Sequence, residues 1–150
     1  MSSSNNPRIP AARSLVVFQD HLIRGVWAQR HLEALVNDPK SLRSFLSLVE
    51  CTREFQKQQQ AAIASQDAAK LRGATTRNRL CLCNAVCPDE SSAWIQCART
   101  AVRRAKADGD RTGLKTVCEE ERQRLEKCTQ WASTRLLHAA VLPQDRGDPL

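Results

Sequence analysis

Apolar positions recur along this chain at helical spacing. Leu15, Phe18, Leu22 and Val26 form one row, with Val16, Ile23 and Trp27 beside it and Leu32, Leu35 and Val36 continuing the face, which predicts a first helix over Ser14 to Asn37. The stripe is wide and needs a partner, either the next helix or another subunit. Asn37-Asp38-Pro39 breaks the pattern: Asp38 suits an N-cap, and Pro39 suits the first helical position, where its missing N–H costs nothing. Leu42, Phe45, Leu46 and Val49 then supply the packing face of a second helix, antiparallel to the first. After Phe55 the run KQQQAAIASQDAAKL is rich in helix formers but poor in apolar anchors, so a long helical extension, exposed or held by a partner, is expected to about Leu71. Gly73-Ala74-Thr75-Thr76 should end it, with Arg72, Arg77 and Arg79 marking a basic linker.

Pro88, Asp89 and Glu90 suit another helix start, where the dipole favours negative charge. That helix runs through Trp94, Cys97, Ala101 and Val102 to about Ala107, and Asp108-Gly109-Asp110 is a turn. Thr116 with Glu119 fits a capping box, with a start nearer Thr112 as the alternative, and the last helix carries Cys118, Leu125, Cys128, Trp131 and Leu136. The expected organisation is a flexible arm over 1–13, an N-terminal helical hairpin and extension over 14–72, a linker over 73–86, a second hairpin over 87–137 and a polar tail over 138–150. Ser-rich, with Arg8 and Arg13 and no acid before Asp20, the arm has the composition of a weak mitochondrial presequence and equally of an ordinary disordered terminus. No secretory signal is read, and no membrane span, because Asp20, Arg24 and Arg30 interrupt the most apolar segment.

The cysteines change the picture most. Cys87 and Cys97 enclose nine residues, and Cys118 and Cys128 enclose nine more. Ten positions advance a helix by roughly 1000° and about 15 Å, so each pair lies on broadly one side of its helix. If the two helices fold back on each other, geometry favours pairing Cys87 with Cys128 and Cys97 with Cys118. Structural zinc prefers ligands two to four residues apart, so the nine-residue gaps argue against it; reduced, buried cysteines are the other reading.

The tandem spacing resembles the twin C-x9-C, or coiled-coil-helix-coiled-coil-helix (CHCH), family between Cys87 and Cys128. The resemblance implies that both rungs are disulfides, inserted by the thiol oxidoreductase relay of the mitochondrial intermembrane space. Trp94, three residues before Cys97, and Trp131, three after Cys128, stand at offsets where the family docks on that oxidoreductase during import; in the folded hairpin they would cover the disulfides. Cys51, Cys81 and Cys83 lie outside the twin pattern and are candidates for an extra disulfide, from Cys51 to Cys81 or Cys83, that ties the hairpins together and leaves one thiol over. Alternatively, Cys81, Cys83 and Cys87 offer soft sulfur ligands for Cu(I). Cys87-Pro88-Asp89-Glu90 is similar to a segment of the family's copper chaperones, although the adjacent cysteine pair of those proteins is absent.

Composition points the same way. A chain of 150 residues with three Trp, three Phe, no Tyr and five Gly reads as all-α; with the crosslinks that the resemblance implies, the expected fold is a disulfide-stapled antiparallel helical hairpin preceded by a second helical hairpin. So small a scaffold gains from crosslinks in an oxidising compartment, each worth roughly 3 to 4 kcal/mol in the chain-entropy picture. The formal charge of +7 favours acidic partners such as RNA, anionic lipid or acidic protein surfaces. It is spread rather than concentrated, with ten Lys/Arg against six Asp/Glu in residues 1–76 and twelve against eight in 77–137, as on a solvated helical surface.

No catalytic constellation stands out. The three histidines are far apart, His21 and His31 fit solvent-facing or capping roles, and Glu119 to Glu121 fit a solvated helix start. The expectation is a protein that is not an enzyme and holds no cofactor or metal. The resemblance implies a structural accessory subunit of a mitochondrial respiratory-chain complex, peripheral to the inner membrane on its intermembrane-space side. Its partners would be other subunits, the import oxidoreductase and an anionic lipid surface. The alternatives are a mitochondrial ribosomal protein touching rRNA through Arg103, Arg104 and Lys106, and a soluble assembly factor or copper carrier.

Overall fold

The computed structural model describes residues 7–24 and 38–140, with side chains through Leu136. The predicted helical stretch over 25–37, including His31, lies outside the described residues, as do residues 1–6 and the tail from residue 141. Five helices follow in order: α1 (Arg13–Ile23), α2 (Pro39–Ala64), α3 (Ala68–Val86), α4 (Pro88–Asp108) and α5 (Glu119–Ala140), with a short 3-10 turn at Leu114–Thr116 before the last. There is no strand among the described residues.

The starts of α2 and α4 are legible in their sequence. Asp38 caps α2 through its side chain, which accepts from the Ser41 N–H, and Pro39 takes the first turn. In α4 Pro88 leads and Asp89 and Glu90 occupy the first turn, while Gly109 closes the helix at φ 69°, a conformation open to glycine at little cost. The last helix departs from expectation. Thr116 sits in the 3-10 turn, its hydroxyl donating to the Gly113 carbonyl at 3.2 Å, so it forms no capping box, and α5 begins at Glu119 after Cys118 at φ 65°.

The larger correction lies at residues 64–86. The helical extension does not run on to Leu71, and 73–86 is not a linker. Instead α2 ends at Ala64, the chain reverses through Gln66 at φ 52°, and Asp67 caps α3 by accepting from the Lys70 N–H at 3.1 Å. Gly73 is an interior residue of α3. One helical glycine costs only about 1 kcal/mol relative to alanine, too little to stop a helix whose neighbours pack. The hairpin that precedes the C-terminal pair is therefore α2 with α3, the most extensive helix pairing in the fold, whereas α1 packs across α2, α3 and α5. Arg77 Nε donates to Gln58 Oε1 across this hairpin at 3.1 Å.

Leu15, Leu48, Leu82 and Leu125 are fully buried at the centre, where α1, α2, α3 and α5 meet. Burying such a side chain is worth about 1.5–3 kcal/mol. Phe18 and Phe45 meet edge to face at 6.0 Å between α1 and α2. Part of the expected flexible arm belongs to this packing too: Pro10 and Ala12 are buried, and the Ala11 N–H donates to Glu126 Oε1 of α5 at 3.1 Å.

Candidate functional site

Six of the seven cysteines are bonded in pairs. Cys87 joins Cys128 and Cys97 joins Cys118, outer with outer and inner with inner, with Cα–Cα separations of 6.2 and 6.0 Å between α4 and the α5 segment. The third bond, Cys51 to Cys81, has a Cα–Cα separation of 5.9 Å and lies within the α2–α3 hairpin rather than between hairpins. Connection between the two halves falls to Cys87 itself, which ends α3 and begins α4. Pro88 removes the backbone donor at this junction, so one helix stops and another starts without a loop.

Cys83 is the free cysteine among the described residues. It is fully buried, and burial pushes its thiol up to about 12, with the Glu126 charge adding to the effect. At neutral pH it is a small apolar side chain rather than a nucleophile. With Cys81 bonded to Cys51 and Cys87 to Cys128, the trio Cys81, Cys83 and Cys87 does not present three thiolates to copper in this oxidised form. The close groupings of Cys87, Glu90 and Cys128, and of Cys97, Cys118 and Glu121, likewise contain disulfide sulfur rather than thiolate. Native protein treated with iodoacetamide at pH 8 is expected to take up no label, and one equivalent at Cys83 once unfolded without reductant, read by intact mass.

Around the outer disulfide the surface is open. A cleft of about 270 Å³ runs between the start of α2, the start of α4 and the end of α5, with Lys40, Glu90, Trp131 and Arg135 on its walls. Glu90 Oε2 lies 3.5 Å from Cys128 Sγ. Arg135 spans the cleft mouth. Its guanidinium donates to both carboxylate oxygens of Asp38 at 3.1–3.2 Å and lies 5.5 Å from the centre of the Trp131 ring. Hydrogen bonding from Ser41 and Arg135 holds the Asp38 carboxyl below its ordinary value. The unfolded chain therefore binds this proton more readily than the folded one. The stabilisation is complete above about pH 4 and lost as pH falls through the lower folded value. Asp38→Asn should melt below wild type at pH 7, with the gap closing as pH falls below the ordinary carboxylate range.

The two tryptophans occupy opposite environments. Trp94 is 5% exposed and packs in the core, whereas Trp131 is 61% exposed. Both flank the cysteines as expected, but Trp131 lies largely in solvent instead of covering its disulfide. Inside α4 the Trp94 Nε1–H and the Ser91 Oγ are buried without a hydrogen-bond partner among the described residues.

Two polar assemblies escaped the sequence reading. Gln19 of α1 and Asn78 of α3 exchange a reciprocal pair of amide hydrogen bonds, each 2.8 Å, and Gln19 Nε2 also donates to Thr52 Oγ1 of α2 at 3.1 Å. All three residues are buried. Arg122 of α5, also buried, bridges Glu119 and Glu126 at 2.6 and 2.7 Å, and Glu126 in turn receives the Ala11 N–H. Nothing in the local sequence marks the amide set, whose partners lie 33 and 59 positions apart; the Arg122 pairs are i,i+3 and i,i+4 neighbours on one helix, and only the Ala11 contact, 115 positions away, depends on the tertiary fold. Glu119 to Glu121 do form the first turn of α5, as read, though Glu119 is tied to Arg122.

No helix among the described residues is long and apolar enough to cross a membrane. Comparison with protein-family models, with curated proteins and with solved structures gives no significant match.

Proposed function

We propose that this protein is a non-catalytic structural accessory subunit of a mitochondrial inner-membrane respiratory-chain complex, held on the intermembrane-space side. The observation that carries the reading is the pair of matched crosslinks, Cys87–Cys128 and Cys97–Cys118, on helices whose cysteines repeat at the twin C-x9-C spacing. Three disulfides in 150 residues suit an oxidising compartment and add crosslinks to the helical core. The exposed apolar residues Val16, Val17 and Ile23 on α1, and Leu46 and Ile63 on α2, suit packing against neighbouring subunits. Trp131, beside Cys128 and largely exposed, suits recognition by the import oxidoreductase, and Trp94 is available for it only before folding. The net positive charge suits an anionic membrane surface.

A second reading has one observation of its own. Arg99, Arg103, Arg104 and Lys106 are exposed on α4, and no acidic residue stands between Ser91 and Ala107. Such a run suits rRNA phosphates in a mitochondrial ribosome. Native-gel and sucrose-gradient separation of detergent-solubilised mitochondria decides between them. Co-migration with a respiratory complex is expected; co-sedimentation with ribosomes supports the second reading, and migration as a free monomer defeats both.

A further inference from the structure

Residues 7–9 lie alongside α4 and leave an open groove of about 590 Å³ between them. Its floor is apolar: Pro7 and Ile9 on one side, and Trp94, Ala98 and Val102 on the other. The last three are spaced four apart, so they form one row along α4 about 12 Å long. Ala98 at the middle of the row is small enough to let another backbone approach closely. Arg99 and Arg103 line the same groove, again four apart, both exposed and neither in an ion pair among the described residues. Trp94 is itself buried, so its ring gives the groove a fixed apolar end.

We infer that this groove is the docking site for an amphipathic helix of a partner protein, one that seats apolar side chains on the Trp94–Ala98–Val102 row and sets carboxylates against Arg99 and Arg103. The shape and charge together select that occupant. Apolar positions repeating every three or four residues on a partner helix match a row with the same repeat, and a flanking line of Asp or Glu meets two unneutralised guanidinium groups. RNA offers the charge without an apolar face to fill the floor. The inference deepens the accessory-subunit reading and rests on its premise that the protein works by docking.

The test uses the full-length oxidised protein and a 16-residue fluorescent peptide built as a helix with leucines on one face and glutamates along its edge. Companion probes are the same peptide with lysine for glutamate, a short RNA hairpin, and vesicles containing anionic lipid. Binding of the glutamate peptide, at least tenfold weaker binding of the lysine peptide, and a tenfold or greater loss in the Arg99→Glu/Arg103→Glu variant are expected. Val102→Asp should also lose binding, whereas Lys115→Glu/Lys127→Glu, an equal change of charge at exposed positions off the groove, should change it less than threefold. Arg99 and Arg103 are exposed, so the double variant keeps the fold even if Val102→Asp does not, which unchanged melting and non-reducing mobility confirm. Equal affinity for both peptides, or an unchanged glutamate-peptide affinity in the double arginine variant, overturns the inference. So does RNA or vesicle binding that depends on the arginines and ignores Val102. Because the assay uses purified protein, its failure leaves co-migration with a respiratory complex unaffected, and the two can be told apart.

Discussion

Replacing Cys87 and Cys128 together by serine is expected to be the most damaging of the three disulfide deletions, lowering stability by about 4 kcal/mol and the melting midpoint by roughly 8–16 °C. The sequence separation across this bond is 41, against 30 for Cys51–Cys81 and 21 for Cys97–Cys118. Loop entropy alone ranks them at about 3.9, about 3.6 and about 3.3 kcal/mol. Breaking all three bonds removes a sum comparable with the roughly 5–15 kcal/mol that holds an ordinary domain folded, even after allowing for the inner loop lying inside the outer one. Circular-dichroism melts with and without reductant, and of the three serine-pair variants, check the ranking; a reduced chain that still melts cooperatively near the oxidised midpoint contradicts it.

Asn78→Ala is expected to cost about 2–4 kcal/mol, far more than a surface substitution, because it strands the buried Gln19 carbonyl oxygen and removes one of the two acceptors of its amide nitrogen. Gln19 then keeps only its bond to Thr52. Replacing both partners by leucine should be much milder, within about 1 kcal/mol of wild type, since no polar group is left orphaned and the side chains are of similar volume. Urea titrations of the two single leucine variants and the double variant give the coupling directly. Near-additive losses would mean the amide pair does not anchor α1 to α3.

The legible parts of this fold are those governed by neighbours in sequence. Asp38-Pro39 and Pro88-Asp89-Glu90 announce helix starts through capping and dipole chemistry that needs no tertiary partner, and Gly109 announces a stop. The outer and inner cysteine pairs were legible because equal spacing on two antiparallel helices leaves few alternatives. The α2–α3 turn was missed for a different reason: Ser65-Gln66-Asp67 is a weak break in a run of helix formers, while Gly73 is a stronger one that tertiary packing overrides. Placing the turn too late also misassigned the hairpin, since Cys51 can reach Cys81 only if α3 returns alongside α2. The buried amide network carries no local signature, the Glu119–Arg122–Glu126 spacing shows the ion pairs but not their burial, and the groove beside α4 depends on where residues 7–9 come to rest.

The central claim is that sulfur crosslinks, two of them at matched spacing, make this helical frame rigid. Peptide mapping of the protein isolated from the cells that make it, alkylated on lysis and digested without reductant, tests it most directly. The account predicts Cys51–Cys81, Cys87–Cys128 and Cys97–Cys118 as linked peptides, with Cys83 labelled only when the alkylating agent is present during unfolding. Recovery of Cys87, Cys97, Cys118 and Cys128 as four alkylated, unlinked residues would contradict it.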